Sequence, residues 1–215
     1  DYIDLYLLHR DDPTVPVGPI VEALNEQLRA GKIRAFGGSN WGHARLQEAN
    51  DYAAARGLTP FAASSPNLGL AVQLKAPWEG CLSVSGLAGA EERAWYAAKR
   101  TPLFSWSSLA GGFFSGRFKP ENMGGFTSSA DKLCAEVYGS PDNFARLERA
   151  TELGARRGLS AAQVALAYVL SQPLDTYALV GSATPAELSQ NVAAVDVQLT
   201  PAELAWPTGA RTVQT

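Results

Sequence analysis

The stretch DYIDLYLLHRDD, residues 1–12, decides the fold. Tyr2 to Leu8 is apolar except for Asp4, which suits a strand of a parallel sheet covered on both faces. His9 and then Arg10, Asp11 and Asp12 follow without a turn signal, so the strand delivers a histidine and charged groups to its carboxyl end. Working outward, Pro19 predicts a helix start, Ile20, Leu24 and Leu28 recur at four-residue spacing, and Gly31 stands where a left-handed C-terminal cap is needed. A short strand over 32–36 comes next, then GGSNWGH (37–43), a helix from about Ala44 closed by Gly57, and a third strand over 61–63. Residues 64–89 read as irregular. A helix over 91–100 and a strand over 102–105 lead into a second irregular excursion, running from SSLAGGFFSGRF (107–118) through Gly139.

Two helices are predicted after that excursion. The first carries Phe144, Leu147 and Thr151 and ends at Gly158. The second opens with Ser160 and Gln163 as a capping box and stops before Pro173. The last strand covers 177–180. TPAEL then occurs twice, at 184–188 and 200–204, with Thr184 and Glu187 predicted as a further capping box. Strand and helix alternate five times with no hairpin, which means a parallel sheet with helices on its faces. A closed (β/α)₈ barrel has eight strands in roughly 250 residues. The 215 residues here therefore predict either an open sheet or the back part of a barrel whose front is missing. No methionine precedes Asp1, and the only one is Met123.

Composition narrows the function. With 46% apolar and 18% charged residues the chain is an ordinary globular one. A net charge of −3 with dispersed Lys and Arg gives no basic stripe for nucleic acid. Cys81 and Cys134 form no metal-ligand spacing and are expected as free thiols in a reducing cytosol. No long apolar run suggests a membrane span, and a cytoplasmic location is the expectation.

In parallel α/β sheets the ligand lies beyond the carboxyl ends of the strands. The residues there are His9; Ser39 and Asn40; Ser65 and Asn67; Trp106, Ser107 and Leu109; Gly181 and Ser182. Each has a plainer reading. Ser39 and Asn40 also suit a cap on the helix starting near Gly42. Trp106 suits the core, as do Trp41, Trp95 and Trp206, while Trp78 in the long loop can also line a substrate pocket. Asp11 and Asp12 point apart and fit a solvated turn better than a paired-carboxylate site. His43, at a helix start without an evident partner, reads as a surface residue. Gly111, Gly112 and Gly116 lack the lysine of a mononucleotide P-loop.

Four segments, DYIDLYLLHR, GKIRAFGGSNW, LFSWSSLAGGFFSGRF and VGSATPAELSQN, together resemble the aldo-keto reductase family in order and spacing across nearly the whole chain. With PWEGC, the likeness extends to a bacterial branch in which this domain can follow a Gfo/Idh/MocA-type oxidoreductase. The resemblance implies an α/β TIM barrel of aldo-keto reductase type, present here as units four to eight over residues 1–206 with an irregular tail over 207–215. It also implies an NAD(P)H-dependent oxidoreductase acting on a small aldehyde or ketone, with NADP(H) ahead of NAD(H). His9 matches the family's substrate-orienting histidine. Ser39, Asn40 and Ser65 match nicotinamide contacts, Trp106 the stacking aromatic, Ser107 and Leu109 the pyrophosphate loop, and Ser182, Gln190 and Asn191 the phosphate and adenine contacts. No metal is implied.

The departures are informative. Ser65 replaces a longer glutamine, and Gly181 and Glu187 stand where many relatives carry basic residues for the 2′-phosphate. The family's catalytic tyrosine, lysine and aspartate belong to earlier strands and match nothing in these residues. The chain alone is therefore expected to be inactive, or to serve as a non-catalytic nucleotide-binding or interaction module. Open sheet edges invite pairing with an N-terminal half or with a second copy.

Overall fold

The computed structural model describes residues 1–209. The strands are β1 (Ile3–Leu8), β2 (Ile33–Ser39), β3 (Ala63–Ser65), β4 (Leu103–Ser105) and β5 (Thr176–Ala178). They form one parallel sheet in the order β1-β2-β3-β4-β5, with Leu5 opposite Ala35, Gly38 opposite Ser64, Ser64 opposite Leu103 and Phe104 opposite Tyr177. Each strand is followed in sequence by the next, so every crossover returns beside its own start and all carboxyl ends face one side. The approach of β2 to β3 requires Gly37, where a Cβ would lie 2.1 Å from the Ala63 carbonyl oxygen.

The crossover helices are α1 (Val17–Arg29), α2 (His43–Ala55), α3 (Ala90–Lys99), α4 (Ser129–Tyr138), α5 (Pro141–Arg157) and α6 (Ala161–Leu170). Two more, α7 (Pro185–Ala193) and α8 (Pro201–Ala205), follow β5. α1 begins two residues before Pro19, which sits in the first turn, where a missing N–H costs nothing. It buries Val17, Val21 and Leu24 against the sheet and ends at Gly31 with φ 71°. Ser160 and Gln163 make the predicted capping box, and Thr200 and Glu203 make another. At α7 the box is only half formed. Thr184 accepts from the Glu187 N–H, but the Glu187 carboxylate accepts from Ala183, one residue outside the cap.

The core has two clusters. One joins α1, α2 and α3 to the sheet through Val21, Phe36, Trp41, Leu46, Phe61 and Leu103. The other lies under the segment after β4, where Phe113 packs on Phe144 at 5.1 Å and on Phe118 at 5.9 Å.

Several expectations need correction. β2 runs on to Ser39 and β3 covers Ala63–Ser65, so Ser39 and Ser65 end these strands and do not follow them. Trp206, expected in the core, is 43% exposed. The excursion through Gly139 is not irregular throughout. It contains α4, capped by Ser128 and burying Cys134, Val137 and Tyr138, together with 3₁₀ turns at Ala110–Ser115 and Pro120–Asn122. The strand β1 is not covered on both faces: it is an edge strand, with Ile3 49% and Tyr6 40% exposed. Both thiols are free, and burial pushes Cys81 up to about 11 and Cys134 up to about 12. Of the expected 207–215 tail, Pro207 and Thr208 form a 3₁₀ turn with Trp206, and residues 210–215 lie outside the described residues. No helix among the described residues is long and apolar enough to cross a membrane.

Glu203 offers a test of how α8 is fastened. Its carboxylate accepts from the Thr200 N–H and from Arg157 at 2.6 Å, and these bonds hold it down from its ordinary 4.5 to about 2. A carboxylate depressed on folding stabilises above its unfolded value, and that contribution is lost as pH falls through the folded one. Acid unfolding should therefore lose stability between about pH 4.5 and 2. Glu203→Gln is expected to flatten that limb of the stability curve and to lower stability at pH 7.

Candidate functional site

The carboxyl ends of β1 to β4 are tied together by the residues that stand there. Asn40 directly follows β2 with φ 61°, a left-handed conformation that Asn tolerates better than most side chains. Its amide Nδ2 donates to the His9 carbonyl and to Ser39 Oγ, both at 3.1 Å, and its Oδ1 accepts from the Leu82 N–H at 3.1 Å. Ser39 Oγ donates to the Ser65 carbonyl at 2.7 Å, which also accepts from the Asn40 N–H at 3.2 Å. Ser65 Oγ in turn donates to the Phe104 carbonyl at 2.6 Å. Four strand ends are thus locked by short buried side chains.

The capping alternative for Ser39 and Asn40 is not realised, because the N-cap of α2 is Gly42 and receives no side-chain bond. His43 is not partnerless either: its Nδ1 lies 2.9 Å from the Glu92 carboxylate, and its N–H donates to the same group. Asp11 faces Arg45 at 3.2 Å and Asp12 accepts from Thr14, so they are two separate turn contacts and not a carboxylate pair.

Asn67 is the residue that sequence reasoning underrated. It is 1% exposed, donates to the Trp106 carbonyl at 3.0 Å, and accepts from Ser83 Oγ at 2.7 Å and Ser85 Oγ at 3.3 Å. Its backbone pairs with that of Leu82 and Val84. Asn67 therefore clips the returning half of the 66–89 loop to the end of β4. Residues 16 and 39 positions away supply these partners, a separation that local pattern does not register.

Beyond β4, Trp106 lies 5.0 Å from Trp78, and the Arg10 guanidinium stands 5.9 Å over the Trp78 ring. Both indole N–H groups are buried without an acceptor. Ser107 has φ 49° and Ala110 φ 52°, so the chain turns through two left-handed non-glycine residues where it leaves β4. Backbone strain of this kind concentrates where a site needs it. The Leu109 side chain packs on the second core cluster, leaving only its backbone to the loop. His9 presents an exposed imidazole at the rim.

After β5, Asn191 Nδ2 donates to Ser182 Oγ at 3.0 Å, so these two expected contacts are brought together, while the Gln190 side chain is exposed. No hydrogen bond or ring contact among the described residues joins them to the first group. The Glu187 carboxylate at the start of α7 places negative charge where an anion would otherwise be welcome.

The aldo/keto reductase family model matches residues 1–206. The chain belongs to the aldo/keto reductase family. It is 28% identical over 201 residues to the uncharacterized oxidoreductase YrpG of Bacillus subtilis, covering 93% of this chain and 55% of that protein. It is also 28% identical over 209 residues to versiconal hemiacetal acetate reductase of Aspergillus parasiticus, covering 95% and 56%. The crystal structure of the thermostable aldo-keto reductase Tm1743 overlays 97% of this chain on 60% of its own with a TM-score of 0.68 at 18% identity, a likeness of fold. The chain thus spans about half the length of the curated relatives it matches.

An aldo/keto reductase works with a nicotinamide nucleotide, and the donor set at the strand ends can be tested against it. A carboxamide offers N–H donors and one carbonyl acceptor. The hydroxyl hydrogens of Ser39 and Ser65 and both N–H groups of Asn40 are already committed within the protein. Lone pairs on Ser39 Oγ and Asn40 Oδ1 remain to accept from the amide, and the orphaned N–H groups of Trp78 and Trp106 remain to donate. The group fits this set.

Proposed function

We propose that this chain supplies the nicotinamide-binding part of an NAD(P)H-dependent carbonyl reductase. One observation carries the reading: the hydrogen-bonded lattice of Ser39, Asn40, Ser65 and Asn67 holds four strand ends beside two buried indole N–H groups that lack acceptors. Unsatisfied buried donors cost about 1–3 kcal/mol each, so their retention points to a ligand. Asn40 and Ser39 orient the carboxamide, Trp106 covers the ring, and Ser182 with Asn191 serves the phosphate and adenine end. When bound, the cofactor supplies a hydride. His9 donates a hydrogen bond to the carbonyl oxygen of an aldehyde or ketone, where negative charge develops. NADP(H) is the expected form, and Glu187 narrows its margin over NAD(H) because a carboxylate repels the 2′-phosphate.

The proton donor is a different matter. Neither a tyrosine nor a lysine follows any of the five strands. The edge strand β1 leaves Ile3 and Tyr6 exposed above a groove of about 580 Å³ lined by Leu8, Ile20 and Leu24, and Tyr177 of β5 is 50% exposed. These apolar edges support a chain completed by further βα units, an N-terminal half or a second copy. They equally favour the second reading, a non-catalytic nicotinamide-binding module that assembles with another chain.

Purified 215-residue protein is expected to elute above monomer mass and to show no NADPH-dependent reduction of a simple aldehyde. A well-behaved monomer that turns over would overturn the proposal that the proton-donating machinery comes from elsewhere. Turnover in an assembly with further units would set aside the non-catalytic reading.

A further inference from the structure

A cavity of about 550 Å³ opens between α3, α6 and α8, with Arg93, Arg146, Tyr168, Gln172, Leu87 and Leu204 in its wall. Two guanidinium groups line it, and neither meets a carboxylate among the described residues. Arg93 donates only to the main-chain carbonyls of Val84 and Gly86, the latter at 2.7 Å, and Arg146 only to that of Leu70 at 3.2 Å. A guanidinium has more N–H groups than these carbonyls use. Arg45 shows the contrast: it is similarly sheltered, and it reaches Asp11 and Glu48. Burial holds the Arg146 pKa below its ordinary value against an opposing pull from Tyr168, while Arg149 adds like charge and Asp142 opposes it more weakly. Arg93, Arg146 and Tyr168 all line this one cavity.

Sheltered charges in proteins are normally paired, because the desolvation of a lone ion is not otherwise offset. Here the chain provides two positive groups, a hydroxyl and an amide around one cavity, and apolar wall from Leu87 and Leu204. The size is that of a small-molecule site. We propose that this cavity binds a small organic anion, its carboxylate or phosphate head between Arg93 and Arg146 and its apolar body along Leu87 and Leu204. None of His9, Ser39, Asn40, Ser65 or Trp106 lines it, so the proposal stands independently of the nicotinamide reading.

Isothermal titration of the purified chain with hexanoate, phenyl phosphate and hexanol tests it, with circular dichroism showing that each variant is folded. At least one of the two anions should bind with a Kd of about 1 mM or tighter, which anion it is identifies the head group, and hexanol should not bind. Leu87 is 94% exposed, so the fold tolerates its substitution. Leu87→Glu brings a carboxylate to the rim and should weaken the anion about tenfold, whereas Leu87→Gln, which loses the same apolar contact without adding charge, should weaken it less. Arg146→Gln should weaken it by a similar factor. Absence of binding by both anions to the folded protein overturns the proposal. So does binding that hexanol shares, or that Leu87→Glu and Arg146→Gln leave unchanged.

Discussion

Asn67→Ala is expected to destabilise the protein by about 3 kcal/mol and to weaken nicotinamide binding about tenfold or more. The truncation removes the donor to the Trp106 carbonyl and the acceptor of the Ser83 and Ser85 hydroxyls, all inside a site that is 1% exposed. Buried groups left without partners cost about 1–3 kcal/mol each, and because these three share one residue their costs do not simply add. Affinity falls with stability because the same bonds set where Trp106 and the 66–89 loop lie. Asn67→Asp separates the two effects. It keeps the acceptor for the serines but puts a carboxylate oxygen against the Trp106 carbonyl, so it should harm Trp106 placement more than loop closure. Denaturant unfolding of both variants, read beside NADPH titrations, checks the account. An Asn67→Ala protein with unchanged stability would remove Asn67 from its place at the centre of the site.

His9→Ala should act on rate and leave binding alone. In an assembly that reduces aldehydes, loss of this imidazole is expected to lower kcat/KM about 100-fold or more, the size seen when one donor to a developing oxyanion is removed. NADPH affinity should change little. The His9 side chain lies at the exposed rim, and only its backbone carbonyl is bound to Asn40, a bond that alanine keeps. A His9→Ala protein that turns over normally would confine this residue to a structural part.

Much of this was legible in the sequence because it was local. Gly31 and Gly158 each close a helix in the left-handed region, and Ser160 with Gln163 caps the next helix, since a cap is decided within a few residues. The strand order followed from alternation, and the strand-end positions of Ser39, Asn40 and Ser65 followed from the strand order. What was not legible depends on distant partners. The apolar run of β1 signals burial, but which neighbour covers it is not encoded in the run, and among the described residues β2 is the one strand that pairs with it. α4 has just one apolar face, Cys134, Val137 and Tyr138, after a glycine-rich approach that hides the period. His43 and Glu92 meet across 49 positions. Glu187 was expected to close a box on Thr184 and instead turns one residue further to Ala183, a choice of backbone geometry that the TPAEL pattern does not distinguish.

The central claim is that the strand ends form a nicotinamide site, and titrating the purified chain with NADPH while following tryptophan fluorescence tests it most directly. The account predicts saturable quenching, because Trp78 and Trp106 lie at the site, with the affinity lowered by Asn40→Ala and the quench reduced by Trp106→Leu. A titration without saturation in the folded protein, or one that both substitutions leave unchanged, would contradict it.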